Sequence, residues 1–315
     1  MKKFLRRFLL YFLAFTLGCY LLDILISANH KKTSSPPAEF EVWNDIYDGK
    51  INTEIAIYGS SRAWVHFDCE IIQKMTAKKC YNFGIDGHNF NLQYLRHKEY
   101  LKHNKKPKYI VLAMDLFSFE SEEELYQQDQ LLPFMLFNSD IRKHTKEYNE
   151  FSFYDFYFPL VRYYGRKNAI DESIDNFKRK SKPKSFRKNG YKGMYLKWVL
   201  KKGIKRFKIP ISEARLEQFQ EFILECKNKN IHLILVMPPQ HIIGQNYVIN
   251  RRKIINRFEQ IANKNNLNFL DYSSDPICLD SNLFYNTSHL NIYGAQRFSK
   301  NFAIDFQDII HAKKN

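Results

Sequence analysis

The sequence predicts an α/β protein: a three-layer, doubly wound parallel sheet with an N-terminal transmembrane helix and a long insertion. Three observations lead there. After residue 50, short β-branched runs alternate with amphipathic stretches, as in a parallel sheet covered by helices. Near the N-terminus an apolar run follows four basic residues. Between Ser121 and Pro210 the alternation stops for about 90 residues, too long for an ordinary connection within a compact domain.

In chain order, residues 1–30 come first. Lys2, Lys3, Arg6 and Arg7 precede the run from Phe8 to Ser27, interrupted only by Asp23. About 20 apolar residues match the thickness of a bilayer, and the positive flank places the N-terminus inside. No small-x-small cleavage site closes the run, so a retained single-pass anchor is expected, with the rest of the chain outside the cytoplasm. Thr16-Leu17-Gly18-Cys19 distantly resembles a lipoprotein box, so a cleaved or lipidated segment is the alternative.

A polar, proline-containing spacer covers 31–50, and residues 51–315 form the globular domain. Strands are expected at Glu54 to Tyr58, Lys79 to Phe83, Tyr109 to Met114, His232 to Met237 and Asn268 to Leu270. Helices fit Asp68 to Met75, Leu92 to His103, Ser212 to Asn228, Tyr247 to Asn265 and Ile292 to Ile310, with Ser212 as an N-cap. The insertion, 121–210, is first acidic, then aromatic through Phe151 to Phe158, then basic.

Charge is concentrated rather than spread. The net charge is +16, yet Lys178 to Lys208 alone holds 14 Lys and Arg and no acid, leaving the remainder near neutral. That argues for one local basic surface facing anionic lipid or an anionic polymer, with a solvated loop as the alternative. No nucleic-acid-binding motif accompanies it, so no nucleic-acid partner is expected. The five cysteines have neither CxxC nor Cys/His spacing, so no metal site is expected. Scattered cysteines usually read as buried hydrophobes; a Cys69–Cys80 pair is the alternative outside the cytoplasm.

Ligands of open α/β sheets bind beyond the carboxyl ends of the strands, so the loops after each strand carry the chemistry. After the first strand comes Gly59-Ser60-Ser61-Arg62, where a glycine permits a tight turn and presents a hydroxyl. The second is followed by the small-residue loop from Asn82 to Asn89, whose backbone N–H groups can approach a substrate oxygen. The third leads into Met114-Asp115-Leu116. Close to the C-terminus, Phe284 to Asn291 contains His289 and leads into the last helix.

These residues resemble a known family. Gly59-Ser60-Ser61 resembles the first motif, GDS, of the SGNH/GDSL hydrolases. Asn286-Thr287-Ser288-His289-Leu290 is similar to their DxxHL, and Gly84 or Gly87 matches their second-block glycine. The GSSR and HLNxxGA wording is similar to the membrane-anchored branch, which includes D-alanyl-lipoteichoic acid acyltransferase-like and alginate-acetylation-like proteins. The resemblance covers roughly 54 to 119 and 212 to 310. It implies the flavodoxin-like SGNH fold, with Ser61 as nucleophile, His289 as its base and the N–H groups of Ser61 and Gly84 as oxyanion donors. Neither metal nor diffusible cofactor is implied.

Three departures matter. Ser60 replaces the aspartate before the nucleophile and becomes the fallback nucleophile. Ala113-Met114-Asp115 stands in place of GxND, removing one oxyanion donor. Asn286 replaces the triad aspartate; it can orient an imidazole but lacks the charge that stabilises imidazolium, and Asp280 is near enough in sequence to substitute.

The leading expectation is therefore an extracytoplasmic O-acyl esterase or acyltransferase that modifies a cell-surface polysaccharide or teichoic-acid-like polymer through an acyl-serine. A membrane-bound O-acyltransferase is the expected protein partner. Against it stands a catalytically impaired carbohydrate-binding or assembly protein of the same fold. A third reading docks the aromatic and basic segments on a lipid surface.

Overall fold

The computed structural model describes residues 1–179, 184–201 and 203–312. Residues 180–183 and 202 of the basic tract lie outside the described residues. The helices are α1 (Lys2–His30), α2 (Glu39–Tyr47), α3 (Ser61–His66), α4 (Cys69–Thr76), α5 (Phe90–His103), α6 (Ser139–Thr145), α7 (Phe153–Tyr157), α8 (Lys167–Lys178), α9 (Glu213–Asn228), α10 (Ile242–Gln245), α11 (Arg251–Asn265) and α12 (Ile292–Ala312). The strands are β1 (Ile55–Tyr58), β2 (Cys80–Asn82), β3 (Tyr109–Ala113), β4 (His232–Met237) and β5 (Asn268–Asp271).

The chain divides into two compact units, one of residues 1–44 and 122–186, the other of 45–121 and 187–315. Residues 187–210, expected in the insertion, thus belong with the sheet-bearing unit. The 31–50 spacer contains α2.

In the first unit α1 packs against α8. Residues 2–22 of α1 are almost wholly exposed, whereas Asp23, Ser27, Asn29 and His30 are buried. With a mean hydropathy of 2.1 over an 18-residue window, α1 is long and apolar enough to cross a membrane.

The second unit is built on a five-stranded parallel sheet in the order β2-β1-β3-β4-β5. Side chains alternate across each strand, which explains why all five read as apolar. Ile55, Ile57, Val111, Ala113, Ile234 and Val236 join one core cluster with Phe67, Ile72, Phe298, Phe302 and Phe306 of the α3, α4 and α12 region. On the other face, the Tyr58 ring meets His97 of α5 (5.5 Å), and the His97 ring meets Phe222 of α9 (5.0 Å). Helices therefore cover both faces, the expected doubly wound arrangement. Strand order reverses at β1 and β3, where such sheets form a ligand crevice.

Four local differences have physical causes. The six-residue α3 is too short to show helical periodicity. Helix α11 starts at Arg251 and not Tyr247, because the preceding residues pair with the 207–209 strand-like segment: Phe207 donates to Tyr247, Ile249 donates to Phe207, and Asn250 Oδ1 accepts from Ile209. Ser212 sits at the N-cap of α9 but its hydroxyl makes no capping bond; its backbone N–H donates to Phe119 O at 2.7 Å. Finally, Cys69 and Cys80 form a disulfide, while Cys226 and Cys278 are the buried hydrophobes expected of them.

Candidate active site

The site starts at the end of β1. Gly59 has φ +147°, and a Cβ there would lie 2.8 Å from Ala113 Cβ and 2.9 Å from Ala113 O, so β1 leaves the sheet tightly against the end of β3 only because this residue is glycine. The chain turns at once into α3. Ser60 is its N-cap, accepting from Arg62 N–H, and Ser61 is its first residue. Consequently Ser60 is fully buried while Ser61 remains partly open.

Ser61 and His289 are brought together. His289 Nε2 lies 2.8 Å from Ser61 Oγ, and His289 Nδ1 lies 3.0 Å from Asn286 Oδ1. The roles of the ring nitrogens follow from the backbone. Asn286 Oδ1 accepts the N–H groups of Ser288 and His289, each at 2.9 Å, which fixes that atom as the oxygen. Nδ1 must then be the donor to it, and Nε2 is left as the acceptor of the Ser61 hydroxyl proton.

Helix α12 delivers this loop. Asn291 Oδ1 accepts from Tyr293 and Gly294 N–H at its start, and α12 packs on α3 and α4. Buried His66, at the end of α3, accepts the Leu290 N–H at Nε2 (3.0 Å), tying the histidine loop to the helix that bears Ser61. Its Nδ1 has no partner among the described residues. Tyr285 stacks parallel on His289, with centroids 5.3 Å apart and planes 7° apart.

Beneath the serine turn lies a buried charged network. Asp115, after β3, accepts from Ser60 Oγ and from Arg62 Nε. Arg62 also donates to Met114 O (3.0 Å) and Pro238 O (3.3 Å), joining the ends of β1, β3 and β4. Burying such a pair demands that its remaining donors and acceptors be satisfied, as they are here. The network ties down the turn on which Ser61 rides.

Electrostatics around His289 are those of a neutral base. Burial, reinforced by the Arg62 cation and opposed by Asp115, pushes its pKa down to about 4. Burial, His289 and Arg62 likewise hold His66 well below the usual imidazole range.

The remaining expected site residues fall elsewhere. Ser60, the fallback candidate, is fully buried and its hydroxyl is engaged in capping α3 and in donating to Asp115. Gly84 N–H is taken by Asn82 Oδ1 at 3.0 Å, so it offers no free oxyanion donor; the residue is glycine for a steric reason, since a Cβ would stand 2.6 Å from Trp64 N. Gly87 has φ +69° in a turn. Asp280 caps a short 3-10 turn through Asn282 N–H, leaving Asn286 as the group on His289 Nδ1. Arg62, Asp115, His66 and Tyr285 were not anticipated. Asp115 and Arg62 were visible as residues just beyond β3 and β1, but their pairing belongs to no short motif. Among the described residues, no cluster of three or more His, Cys, Asp or Glu is arranged to hold a metal ion.

No family model and no curated protein matches the chain. Among solved structures it is similar to a G-D-S-L family lipolytic protein from Desulfitobacterium hafniense DCB-2, with 11% identity over 80% of this chain and 98% of that one, at a TM-score of 0.38. It is also similar to a GDSL-like lipase from Bacteroides thetaiotaomicron VPI-5482, with 12% identity over 84% and 97% of the two chains and a TM-score of 0.36. A protein from Streptococcus pneumonia described as a platelet activating factor gives 12% identity, coverage of 94% and 96%, and a TM-score of 0.40.

Proposed function

We propose that this protein is a membrane-anchored serine esterase or O-acyltransferase that works through an acyl-Ser61 intermediate. The observation that supports this reading is the 2.8 Å Ser61–His289 contact, with the histidine tautomer set by Asn286. Ser61 Oγ attacks an ester carbonyl carbon while its proton passes to His289 Nε2. Collapse of the tetrahedral adduct expels the alcohol, which takes that proton. Water or an acceptor hydroxyl then attacks the acyl carbon, His289 accepts its proton, and the second adduct collapses as that proton passes to the leaving Ser61 Oγ. The Ser61 N–H, first in α3 and without an acceptor among the described residues, serves as an oxyanion donor, a contribution of about 3 kcal/mol.

Placement outside the cytoplasm is supported by the basic flank of α1 and by the Cys69–Cys80 disulfide, since such bonds persist in oxidising compartments. An anionic substrate surface is supported by the basic stretch. Two of its residues touch the site: Lys192 N–H donates to Trp64 O of α3 and Val199 N–H to Tyr285 O, with Lys197, Lys201 and Lys205 exposed. A cell-surface polysaccharide or teichoic-acid-like polymer fits both placements.

Asn286 favours a second reading, a binding or assembly protein with an impaired triad, because among the described residues it is this amide, and no carboxylate, that meets His289 Nδ1. A fluorophosphonate probe separates the two. The wild-type full chain should be labelled and Ser61→Ala should not. An unlabelled wild type leaves the binding reading in its place.

A further inference from the structure

The apolar face that lacks a role in the chemistry lies in the first unit. We propose that the aromatic segment Phe153 to Tyr164 of that unit lies in the interfacial layer of the bilayer crossed by α1, as a lipid-facing platform. This rests on reading α1 as a membrane-spanning helix.

The geometry starts from Asp23, the acid that interrupts the apolar run. It is not left unpaired. Asp23 Oδ2 accepts the Leu160 N–H at 2.7 Å, and Asp23 Oδ1 accepts from Arg162 Nη2 at 2.5 Å. One helical turn on, Ser27 Oγ accepts from Arg162 Nη2 at 3.1 Å and lies 2.8 Å from Tyr163 Oη. Arg162 Nε is held by Leu132 O at 2.6 Å. Asp23, Arg162 and Tyr163 are all about 2% exposed or less. The segment is therefore clamped to α1 at the level of Asp23 to Ser27.

That level is fixed by length. The uncharged run from Phe8 to Leu22 is 15 residues, a rise of about 22 Å at 1.5 Å per residue. The hydrocarbon core is about 30 Å thick. Arg6 and Arg7 can reach the inner headgroups by extending their side chains, but the shortfall draws Asp23 down to the outer boundary of the hydrocarbon. Pairing with Arg162 is what makes a carboxylate tolerable there. Whatever is clamped at Asp23 is drawn to the same depth.

The clamped segment is suited to that depth. Phe153, Tyr154, Tyr157, Phe158 and Tyr164 are exposed, Tyr164 at 91% and Tyr154 at 60%, and exposed Phe137 meets Tyr157 edge-on at 6.3 Å. Phe153 and Tyr157 stack at 4.5 Å, and the Tyr154 and Phe158 rings lie 5.8 Å apart and tilted by 46°, giving a continuous aromatic surface. Tyrosine, an apolar ring with a polar tip, forms the belts that sit between acyl chains and headgroups, and the neighbouring phenylalanines add apolar surface for the acyl side. In water so much contiguous apolar surface would be a liability.

The full chain, carrying the photoreactive p-benzoylphenylalanine at Tyr154 or Tyr164, is reconstituted into vesicles of phosphatidylcholine and phosphatidylglycerol and irradiated. Phe12 serves as the positive position and exposed Tyr126 of the same unit as the reference. Lipid adducts, read as a mass shift, are expected at Phe12, Tyr154 and Tyr164, with loss of the adduct at Tyr126. Adducts at Phe12 but at neither Tyr154 nor Tyr164 overturn the platform while leaving the anchor intact. Labelling at Tyr126 as heavy as at Tyr154 and Tyr164 also overturns it. No adduct at any position removes the anchor reading together with the platform.

Discussion

His289 Nδ1 stands 3.0 Å from Asn286 Oδ1, an oxygen that also accepts two backbone N–H groups within its own turn. Asn286 thus shapes the loop and fixes the tautomer, two jobs that an aspartate could also do. It does not do a third. On the proposed mechanism, the imidazolium formed when Ser61 gives up its proton has a neutral hydrogen-bond acceptor and no charge at Nδ1, and burial already holds the ring at about 4.

Asn286→Asp should therefore raise both the His289 pKa and turnover of a small acetyl ester. The reverse change in a serine protease costs about 10⁴-fold, which bounds the gain from above. Because His289 acts as a base only when neutral, the acid limb of kcat/KM should lie near pH 4 in the wild type and move upward in Asn286→Asp. A pH–rate profile of both proteins checks this; an unmoved limb would show that Asn286 does not set the basicity of His289.

Ser60 and Ser61 are adjacent but should respond oppositely. Ser60→Ala removes an N-cap and one partner of Asp115, costing about 1 kcal/mol, and should retain fluorophosphonate labelling. Asp115→Asn should be far more damaging, because it strands the buried Arg62 cation, a loss of about 3–5 kcal/mol. Thermal melts of the variants, alongside labelling, separate the support of the turn from its chemistry. Labelling lost in folded Ser60→Ala would reassign the nucleophile.

Acid should weaken the fold through buried histidines. Burial lowers His289 to about 4 and His97 to about 3, and holds His66 well below 6.5. The sign follows from linkage: below pH 6.5 the unfolded chain binds these protons and the folded chain does not. Stability should be fully present above about 6.5 and fall as pH drops toward the folded values, by up to about 1.4 kcal/mol per pH unit for each histidine. Urea melts at pH 7 and pH 5 test it. His66→Gln, which keeps an acceptor for Leu290 N–H, should flatten the dependence.

All five strands were legible in the sequence as short runs, four of them almost wholly buried on both faces of the parallel sheet and β5, at its edge, partly exposed. The sequence by itself also determined the nucleophile and its base as candidates, because Gly59-Ser60-Ser61 and Asn286 to His289 are local patterns: a glycine forced by a tight turn, and an Asx turn that orients a neighbouring ring. What only the tertiary structure decided involves pairs far apart in the chain. Asp115 meets Arg62 because β3 lies beside β1, and His66 meets Leu290 because α12 packs on α3. The fate of Gly84 was likewise invisible: its glycine is needed for backbone approach to Trp64, and its N–H is taken by Asn82. The pairing of Cys69 with Cys80, left open by their spacing, was settled when α4 returned the chain to β2 with Cα atoms 5.2 Å apart. Local pattern records what a residue can do, whereas the fold determines which distant group it meets and at what distance.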